Sequence, residues 1–403
     1  HKPGTDVALL NGMMKVILDK ELEDADFIKK NTEDFEAFKD LIEKVDLDDV
    51  SNITGVSVED IKTMALTYAE AGKGSIVYCM GITQHTNGVN NVKSLANLAM
   101  LTGHIGKPGT GVNPLRGQNN VQGACDMGGL PDVYTGYQKV TLKDANKKFA
   151  DAWGVSELPL EVGLTIPEMM DGIAKDDVKA LWVMGENPVV SDPDADHVVK
   201  ALKKIELLIV QDIFLTPTAK LAHVVLPGVS FAEKDGTFVN TERRVTRVRK
   251  AIEPIGESHQ DWQIIQDISN RFGYEMNYDS PEQIFNEIAE LTPSYAGINY
   301  ERLEGPGLQW PCPTPEHPGT TYLHKDGKFA RGKGLFHAVE IKPPAEVTDE
   351  DYPFWMTTGR VYAHYHTGTM KRKSKPPDSE FPQEFPEINP SDEQELDIPD
   401  GHK

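Results

Sequence analysis

The chain has 403 residues, 39% of them hydrophobic and 26% charged, a composition typical of a globular enzyme with about two to four domains. Its formal net charge of −22 argues against nucleic acid as a partner, because the average surface would repel a phosphate backbone. No apolar run approaches the ~18 residues of a membrane span, so no transmembrane segment is predicted.

The N-terminal part predicts helices followed by an α/β layer. Apolar residues recur at helical spacing through the first 70 residues, which indicates amphipathic helices. Residues 75–80 predict a buried strand. Residues 91–101 predict a helix that ends at Gly103. Strand, loop and helix in this order are typical of an α/β arrangement.

The middle of the chain carries the clearest α/β pattern. Apolar runs at 180–184, 207–210 and 223–227 predict three buried strands, with a helix expected to start at 191–193. Short crossovers between them predict a parallel, doubly wound sheet. Such sheets bind ligands beyond the carboxyl ends of their strands, where the loops 185–188 and 211–219 would lie.

The remaining part of the chain has a different residue pattern. Residues 237–240 and 245–248 predict a β-hairpin, and residues 261–290 return to helix. The segment 303–347 is dense in Pro and Gly and predicts loops. Residues 354–358 predict one more strand, which Gly359 ends.

The Gly-punctuated segment 113–128 is expected to be a loop that holds an anion. It carries one guanidinium, Arg116, among side-chain amides, which satisfy polar groups without adding charge. Arg116 has two interpretations: a surface or salt-bridge residue, or a planar fork that grips a small carboxylate bidentately. The amides are Asn113, Gln118, Asn119, Asn120 and Gln122.

The loops at the predicted strand ends offer a second kind of chemistry. Asp212 has a carboxylate that can accept hydrogen bonds from the N1–H and amino group of a guanine. The hydroxyls of Thr216 and Thr218 suit phosphates, although such residues also serve as helix caps.

Histidines and cysteines give little sign of a metal site. On a strand, the His-x-His spacing of His364 and His366 would put both imidazoles on one face, as a pair of metal ligands requires. No third ligand follows at suitable spacing, so hydrogen bonding to a polyanionic cofactor is the preferred interpretation. The three cysteines form no CxxC pair, so no iron–sulfur or zinc motif is visible.

Several segments together resemble the catalytic subunit of formate dehydrogenases, within the molybdopterin oxidoreductase family. They are residues 103–128, 184–188, 211–219, 309–312 and 358–369. The resemblance implies an α/β fold of doubly wound αβα domains of the formate dehydrogenase/DMSO reductase type, with the start of a C-terminal six-stranded double-psi β-barrel. The implied domains are 1–118, which ends in the Arg116 loop; 119–230, which binds the pterin guanine dinucleotide; 231–345, a connecting region; and 346–403, the beginning of the barrel.

The resemblance also implies an activity and its cofactors. Formate would be oxidised reversibly to CO2 at a Mo- or W-bis(molybdopterin guanine dinucleotide) centre, and electrons would pass to a 4Fe-4S cluster. A redox partner subunit would take them onward, of an Fe-S/flavin type, NAD- or F420-linked, or of a ferredoxin type. Arg116 would bind the formate carboxylate. Cofactor-binding roles are implied for Gln118 at a pterin, for Gly185, Glu186, Asn187, Asp212, Thr216 and Thr218 at a guanine dinucleotide, and for Gly359, Arg360, His364, His366, Thr367 and Thr369 in the last domain.

Compared with the family pattern, the chain lacks the N-terminal region and most of the C-terminal barrel. The family's four-cysteine cluster, its Cys or selenocysteine metal ligand and the adjacent His have no counterpart here. We therefore expect a piece of a longer catalytic subunit, located in the cytoplasm and inactive alone. The alternatives are a molybdopterin oxidoreductase with another substrate, such as nitrate, and a non-catalytic scaffold that retains the fold.

Overall fold

Helices and short strands alternate along the chain in a computed structural model that describes residues 1–401 and shows a mixed α/β fold. The α-helices are α1 (Asp6–Asp19), α2 (Ala25–Asn31), α3 (Phe35–Ile42), α4 (Leu47–Thr54), α5 (Val58–Ala69), α6 (Met80–Thr83), α7 (Gly88–Leu101), α8 (Val121–Asp126), α9 (Lys143–Ala152), α10 (Ile166–Ala174), α11 (Pro188–Ser191), α12 (Ala195–Lys204), α13 (Asp261–Arg271), α14 (Pro281–Leu291), α15 (Lys375–Glu380) and α16 (Pro390–Leu396).

The strands are mostly short. They are β1 (Thr32–Glu33), β2 (Ser75–Tyr78), β3 (Gly111–Pro114), β4 (Val133–Tyr134), β5 (Gln138–Lys139), β6 (Ala180–Met184), β7 (Leu207–Asp212), β8 (Val224–Pro227), β9 (Gly236–Val239), β10 (Arg244–Val248), β11 (Leu308–Gln309) and β12 (Gly334–Leu335). Within residues 1–401, no helix combines the length and the apolar content that crossing a bilayer requires.

The chain divides into two compact units. The first unit comprises His1–Gly163, Asp235–Arg249 and Tyr278–Trp355. The second unit comprises Leu164–Lys234, Lys250–Asn277 and the residues from Met356 onward.

A helical cluster forms the main core of the first unit. Helix α1 packs against α4, α5 and α7. Most of its apolar residues are buried, and two of them, Met14 and Ile17, have no exposed surface. The predicted helical stripes of the first 70 residues are therefore confirmed, and burial of these faces is what stabilises them.

Strands β2 and β3 form a parallel pair that positions the Arg116 segment. Ser75 pairs with Gly111 and Tyr78 with Pro114, so both strands end at the same edge. Helices α6 and α7 lie in the connection between them, as a parallel crossover requires. The chain leaves β3 at Pro114, and Arg116 follows two residues later.

The predicted hairpin is confirmed as β9 and β10, which pair antiparallel with Val239 opposite Val245. Strand β11 adds to the outer edge of β10. A second core of the first unit packs around these strands. Its buried members are Val239, Val245, Phe285, Tyr295, Ile298, Tyr300, Leu303 and Cys312.

The second unit contains the predicted parallel sheet, in the order β6-β7-β8. Met184 pairs with Gln211 and Asp212 with Pro227, so the carboxyl ends of the strands share one edge. Residues from α10 and α12 pack with the strands in a common apolar cluster, in which Leu202 and Leu208 are almost fully buried.

Several predictions of secondary structure were wrong. The strand expected over 75–80 ends at Tyr78, and the residues of β2 and β8 are exposed or half-buried, although buried strands were expected there. The helix expected from 191–193 begins at Ala195, because Asp194 caps it by accepting a hydrogen bond from the His197 N–H at 3.0 Å. The single helix expected over 261–290 is two helices, α13 and α14, and Gly273 between them has a φ of +84° that a helix cannot continue through. Residues 354–358 are exposed and form no strand, since no neighbouring strand is present between 346 and 401 to complete a ladder.

Candidate functional site

In the first unit, two hydrogen bonds hold Arg116 in place. Its backbone N–H donates to the Thr241 hydroxyl at 3.0 Å, in the turn between β9 and β10. Its Nε donates to the Gln122 side-chain carbonyl at 2.8 Å. Over residues 1–401, none of the ion pairs includes Arg116, so the salt-bridge interpretation is excluded there. A half-buried guanidinium with its position fixed is suited to hold an anion.

The segment after Arg116 is more ordered than an irregular loop, which corrects the expectation for 113–128. It contains helix α8, preceded by Asn120 in the left-handed region at a φ of +63°. The Asn120 Oδ1 accepts a hydrogen bond from the backbone N–H of Val239 at 2.9 Å, which ties α8 to β9. Gln118 lies exposed on this segment.

A buried carboxylate, Asp126, lies at the end of α8 and has no exposed surface. Four donors surround it. They are Gln122 Nε2 at 2.7 Å and Tyr137 OH at 2.8 Å on Oδ1, with Tyr295 OH at 2.5 Å and Trp310 Nε1 at 2.7 Å on Oδ2. All acceptor positions of the carboxylate are therefore filled.

Sequence reasoning missed Asp126. Gln122 and Asp126 are spaced i, i+4, a signal that could have placed them on one helical face. Burial raises the pKa of Tyr295 and that of Tyr137, and the negative charge of Asp126 raises both further, which keeps the phenols as neutral donors. Burial also raises the pKa of Tyr78, and the positive charge of Arg116 lowers it in part.

In the second unit, Gly185 and Glu186 follow β6 at the carboxyl edge of the sheet. The Gly185 N–H donates to the Gln211 carbonyl at 2.8 Å. Gly185 has a φ of +63°, and a Cβ placed there would meet no atom within 4 Å, so the space above it is open. The exposed Glu186 accepts hydrogen bonds at Oε1 from the Asn187 N–H at 3.1 Å and the Ser191 hydroxyl at 2.6 Å.

Asn187 joins the loops that follow β6 and β7. Its Oδ1 accepts from the Thr218 N–H at 3.2 Å and from the Thr218 hydroxyl at 2.7 Å. Thr216 and Thr218 are fully buried, and the Thr216 hydroxyl accepts from the Ala219 N–H at 3.1 Å. Both hydroxyls thus shape the loop from within.

Asp212 ends β7 and is only half buried, unlike the two threonines. Burial raises its pKa, hydrogen bonds from Phe214 and Ile213 N–H groups lower it, and the negative charge of Glu186 raises it again. In the described part of the chain, Oε1 of the neighbouring Gln211 is buried without a hydrogen-bond partner. The edge therefore offers polar acceptors.

The residues predicted in the last region are brought to this edge only in part. Thr369 accepts a hydrogen bond from Asn187 Nδ2 at 3.1 Å, which links it to the loop after β6. The His364 Nε2 lies 2.7 Å from the Phe381 carbonyl. The other predicted residues, Gly359, Arg360, His366 and Thr367, are exposed. No three His, Cys, Asp or Glu side chains come together as a metal-ligand set anywhere in residues 1–401.

The sequence of the chain is similar to those of two proteins named as formate dehydrogenases. The F420-dependent formate dehydrogenase subunit alpha of Methanocaldococcus jannaschii is 54% identical over 99% of this chain, which covers 59% of that protein. Formate dehydrogenase H of Escherichia coli is 43% identical over 92% of the chain and 52% of its own length. The chain thus spans a little over half the length of these relatives.

The structure of acetylene hydratase from Pelobacter acetylenicus superposes with a TM-score of 0.67, over 99% of this chain and 59% of that one. The two sequences are 19% identical, so this likeness establishes the fold alone. The family model described as "Molybdopterin oxidoreductase" matches residues 1–271. The chain belongs to the molybdopterin oxidoreductase family, whose members use a Mo- or W-pterin cofactor.

Proposed function

We propose that this chain is part of the catalytic subunit of a formate dehydrogenase, which oxidises formate reversibly to CO2, a proton and two electrons. The observation that carries the proposal is Arg116, a fixed guanidinium with no acidic partner among the described residues, in a segment rich in amides. The formate dehydrogenases among its relatives, at 54% and 43% identity, support the same substrate.

Arg116 would act by binding and orienting the carboxylate. Gln122 engages the Nε–H, and the two Nη groups form the edge of the guanidinium that suits a bidentate carboxylate. The positive charge attracts the anion, and the fixed plane sets the direction of its C–H bond. Catalysis by this residue therefore consists of positioning and electrostatics, with no proton transfer.

The second unit would hold the guanine end of the cofactor. We propose that Asp212 accepts the N–H groups of the guanine, while Gly185 and Glu186 line the open side of the edge. Asn187, Thr216 and Thr218 would hold the loops at the edge in shape for the dinucleotide. A raised Asp212 pKa and an unpartnered buried Gln211 Oε1 fit a ligand that donates hydrogen bonds.

Further contacts with the cofactor are proposed for Gln118 and for residues 359–369, namely Gly359, Arg360, His364, His366, Thr367 and Thr369. When bound, a Mo- or W-bis(molybdopterin guanine dinucleotide) centre supplies the two-electron oxidation. The four domain ranges predicted from the sequence, including the barrel beginning at 346, stay predictions.

The names of the relatives support a proposal for the redox partners. We propose that electrons leave through a 4Fe-4S cluster to a partner subunit, and that the acceptor is F420, which the names of the relatives from Methanocaldococcus jannaschii and Methanococcus maripaludis contain. A partner of an Fe-S/flavin type that is NAD-linked, or one of a ferredoxin type, is the alternative, and reduction of NAD or ferredoxin in place of F420 would identify it.

The test uses the full-length catalytic subunit, produced with its partner subunits and loaded with cofactor. We expect formate-dependent reduction of F420 with release of CO2, at a stoichiometric Mo or W content. Nitrate reduction without formate oxidation would replace formate by another substrate. A folded protein that binds neither metal nor pterin would instead support a scaffold and contradict the proposal.

A further inference from the structure

We propose that Asp126 and Gln122 are positioning residues, which fix the orientation of the Arg116 guanidinium. The inference rests on the proposed function only for the identity of the anion, formate. Neither residue needs to touch the substrate. Each acts through the next, from Asp126 to Gln122 at 2.7 Å and from Gln122 to Arg116 at 2.8 Å.

Asp126 determines which groups donate and which accept in this series of hydrogen bonds. The amide N–H of Gln122 and the indole N–H of Trp310 can only donate, so each carboxyl oxygen of Asp126 must accept. The acceptor-only form of the group is the carboxylate. With Asp126 completely buried, no water competes for these positions.

This acceptor orients the Gln122 amide. Its NH2 group points inward, donating to Asp126 Oδ1 and, at 3.0 Å, to Tyr137 OH. Its carbonyl oxygen must therefore face the other way, towards the Nε–H of Arg116. Gln122 itself is only 5% exposed, so the amide cannot turn over without breaking both inward bonds.

A neutral amide between the two charges has a functional consequence. A carboxylate in direct contact with Arg116 would compete with an incoming anion for the same guanidinium. With Gln122 between Asp126 and Arg116, the orientation of the guanidinium is fixed through the amide, and its two Nη groups remain available for the anion. The hydrogen bond from the Arg116 backbone N–H to the Thr241 hydroxyl holds the main chain from which this side chain extends.

Asp126→Asn exchanges the donor and acceptor roles between residue 126 and Gln122 without changing the size of the side chain. Trp310 can only donate, so the new amide keeps its oxygen towards Trp310 and turns its NH2 towards Gln122. Gln122 must then flip to offer its carbonyl, which leaves its own NH2 facing the Arg116 Nε–H. Two donors repel, and the guanidinium is displaced.

The double variant Asp126→Asn with Gln122→Glu restores the pattern at constant charge. A carboxylate at position 122 accepts from the new amide on one side and from Arg116 on the other. We expect the guanidinium to return to its place. The formate KM should recover only in part, because a charge now adjoins Arg116 directly.

The experiment compares these variants in the full-length, cofactor-loaded enzyme with its partner subunits. For Asp126→Asn we expect kcat/KM for formate to fall by roughly 10- to 100-fold, mainly through KM, at unchanged metal and pterin content per protein. The matched control is Asp6→Asn, another buried aspartate of the first unit, whose carboxylate lies 3.1 Å from the His1 Nε2. It should leave KM unchanged.

A second readout, independent of turnover, is the crystal structure of each variant. It should show the hydrogen bond between Arg116 Nε and residue 122 lost in Asp126→Asn and regained in the double variant. An unmoved guanidinium together with an unchanged KM would overturn the positioning roles, while the formate proposal would stand. If the wild-type enzyme does not oxidise formate, the proposed function fails, and the guanidinium positions alone decide the inference in either direction.

Discussion

The Asn187 Oδ1 accepts two hydrogen bonds from Thr218, one from its backbone N–H at 3.2 Å and one from its hydroxyl at 2.7 Å. The two residues lie in loops that leave adjacent parallel strands, β6 and β7. A single side chain thereby couples the loops at the carboxyl edge of the sheet. The edge is the place where sheets of this type bind ligands, so its rigidity bears on cofactor retention.

Thr218→Val removes the hydroxyl and keeps the volume of the side chain. The Val189 N–H loses its acceptor at 3.2 Å, and Asn187 loses one of its two donors. We expect the free energy of unfolding to fall by about 1–3 kcal/mol and pterin content to decrease. Urea denaturation of the full-length protein measures the first, and cofactor analysis the second.

The matched control for that variant is Thr357→Val, an exposed threonine of the same unit. It should change stability by less than ~0.5 kcal/mol. Equal losses in the two variants would show that the Asn187 contact contributes nothing particular.

Asp212→Asn is expected to stabilise the cofactor-free protein at neutral pH. Burial raises the folded-state pKa of Asp212 above the ordinary 3.8, so its contribution to stability is fully present below pH 3.8 and is lost as the pH rises through the folded pKa. An asparagine does not ionise, so the variant avoids this loss of stability at pH 7. Its gain in stability over wild type should become smaller towards pH 4. Thermal unfolding at pH 7 and pH 4 measures the difference, with the exposed Asp177→Asn as the control.

The same substitution should weaken guanine binding. A neutral amide replaces the charged acceptor, which corresponds to roughly a 10- to 100-fold loss of affinity. Quantifying the guanine nucleotide released from the denatured enzyme tests this. A variant that is less stable at pH 7 and retains all of its nucleotide would contradict both expectations.

Gly123→Ala should disturb the attachment of α8. A Cβ at Gly123 would lie 2.1 Å from Asn120 Oδ1, the atom that accepts the Val239 N–H. Asn120 must move away, and we expect a loss of about 1–3 kcal/mol with a higher formate KM. Gly72→Ala, where a Cβ meets no atom within 4 Å, is the control and should remain within ~0.5 kcal/mol of wild type. Identical denaturation midpoints for both variants would refute the role of Gly123.

Local pattern was sufficient for the sheet of the second unit. The apolar runs at 180–184 and 207–210 are bounded by turn residues, and their neighbours in sequence are also their neighbours in space. Helix α8 was missed because its six residues are too few for a helical periodicity, and Gly123 lies within them.

The surroundings of Arg116 depended on contacts that no local pattern contains. The donors Tyr295 and Trp310 reach Asp126 from 169 and 184 residues away along the chain. Arg116 could be singled out from its amide neighbours. The structure was needed to show that Arg116 has no acidic partner among residues 1–401 and to identify the residues that orient it.

The most direct test of the account is Arg116→Lys in the full-length enzyme, measured as formate-dependent acceptor reduction per bound metal. Lysine keeps the charge but lacks the planar fork, so we expect kcat/KM for formate to fall by about 100-fold or more, with unchanged metal and pterin content. The control Arg249→Lys changes an arginine paired with Glu304 at 2.8 Å and should have no effect. Formate kinetics equal to wild type in Arg116→Lys would contradict the central claim that this guanidinium binds formate.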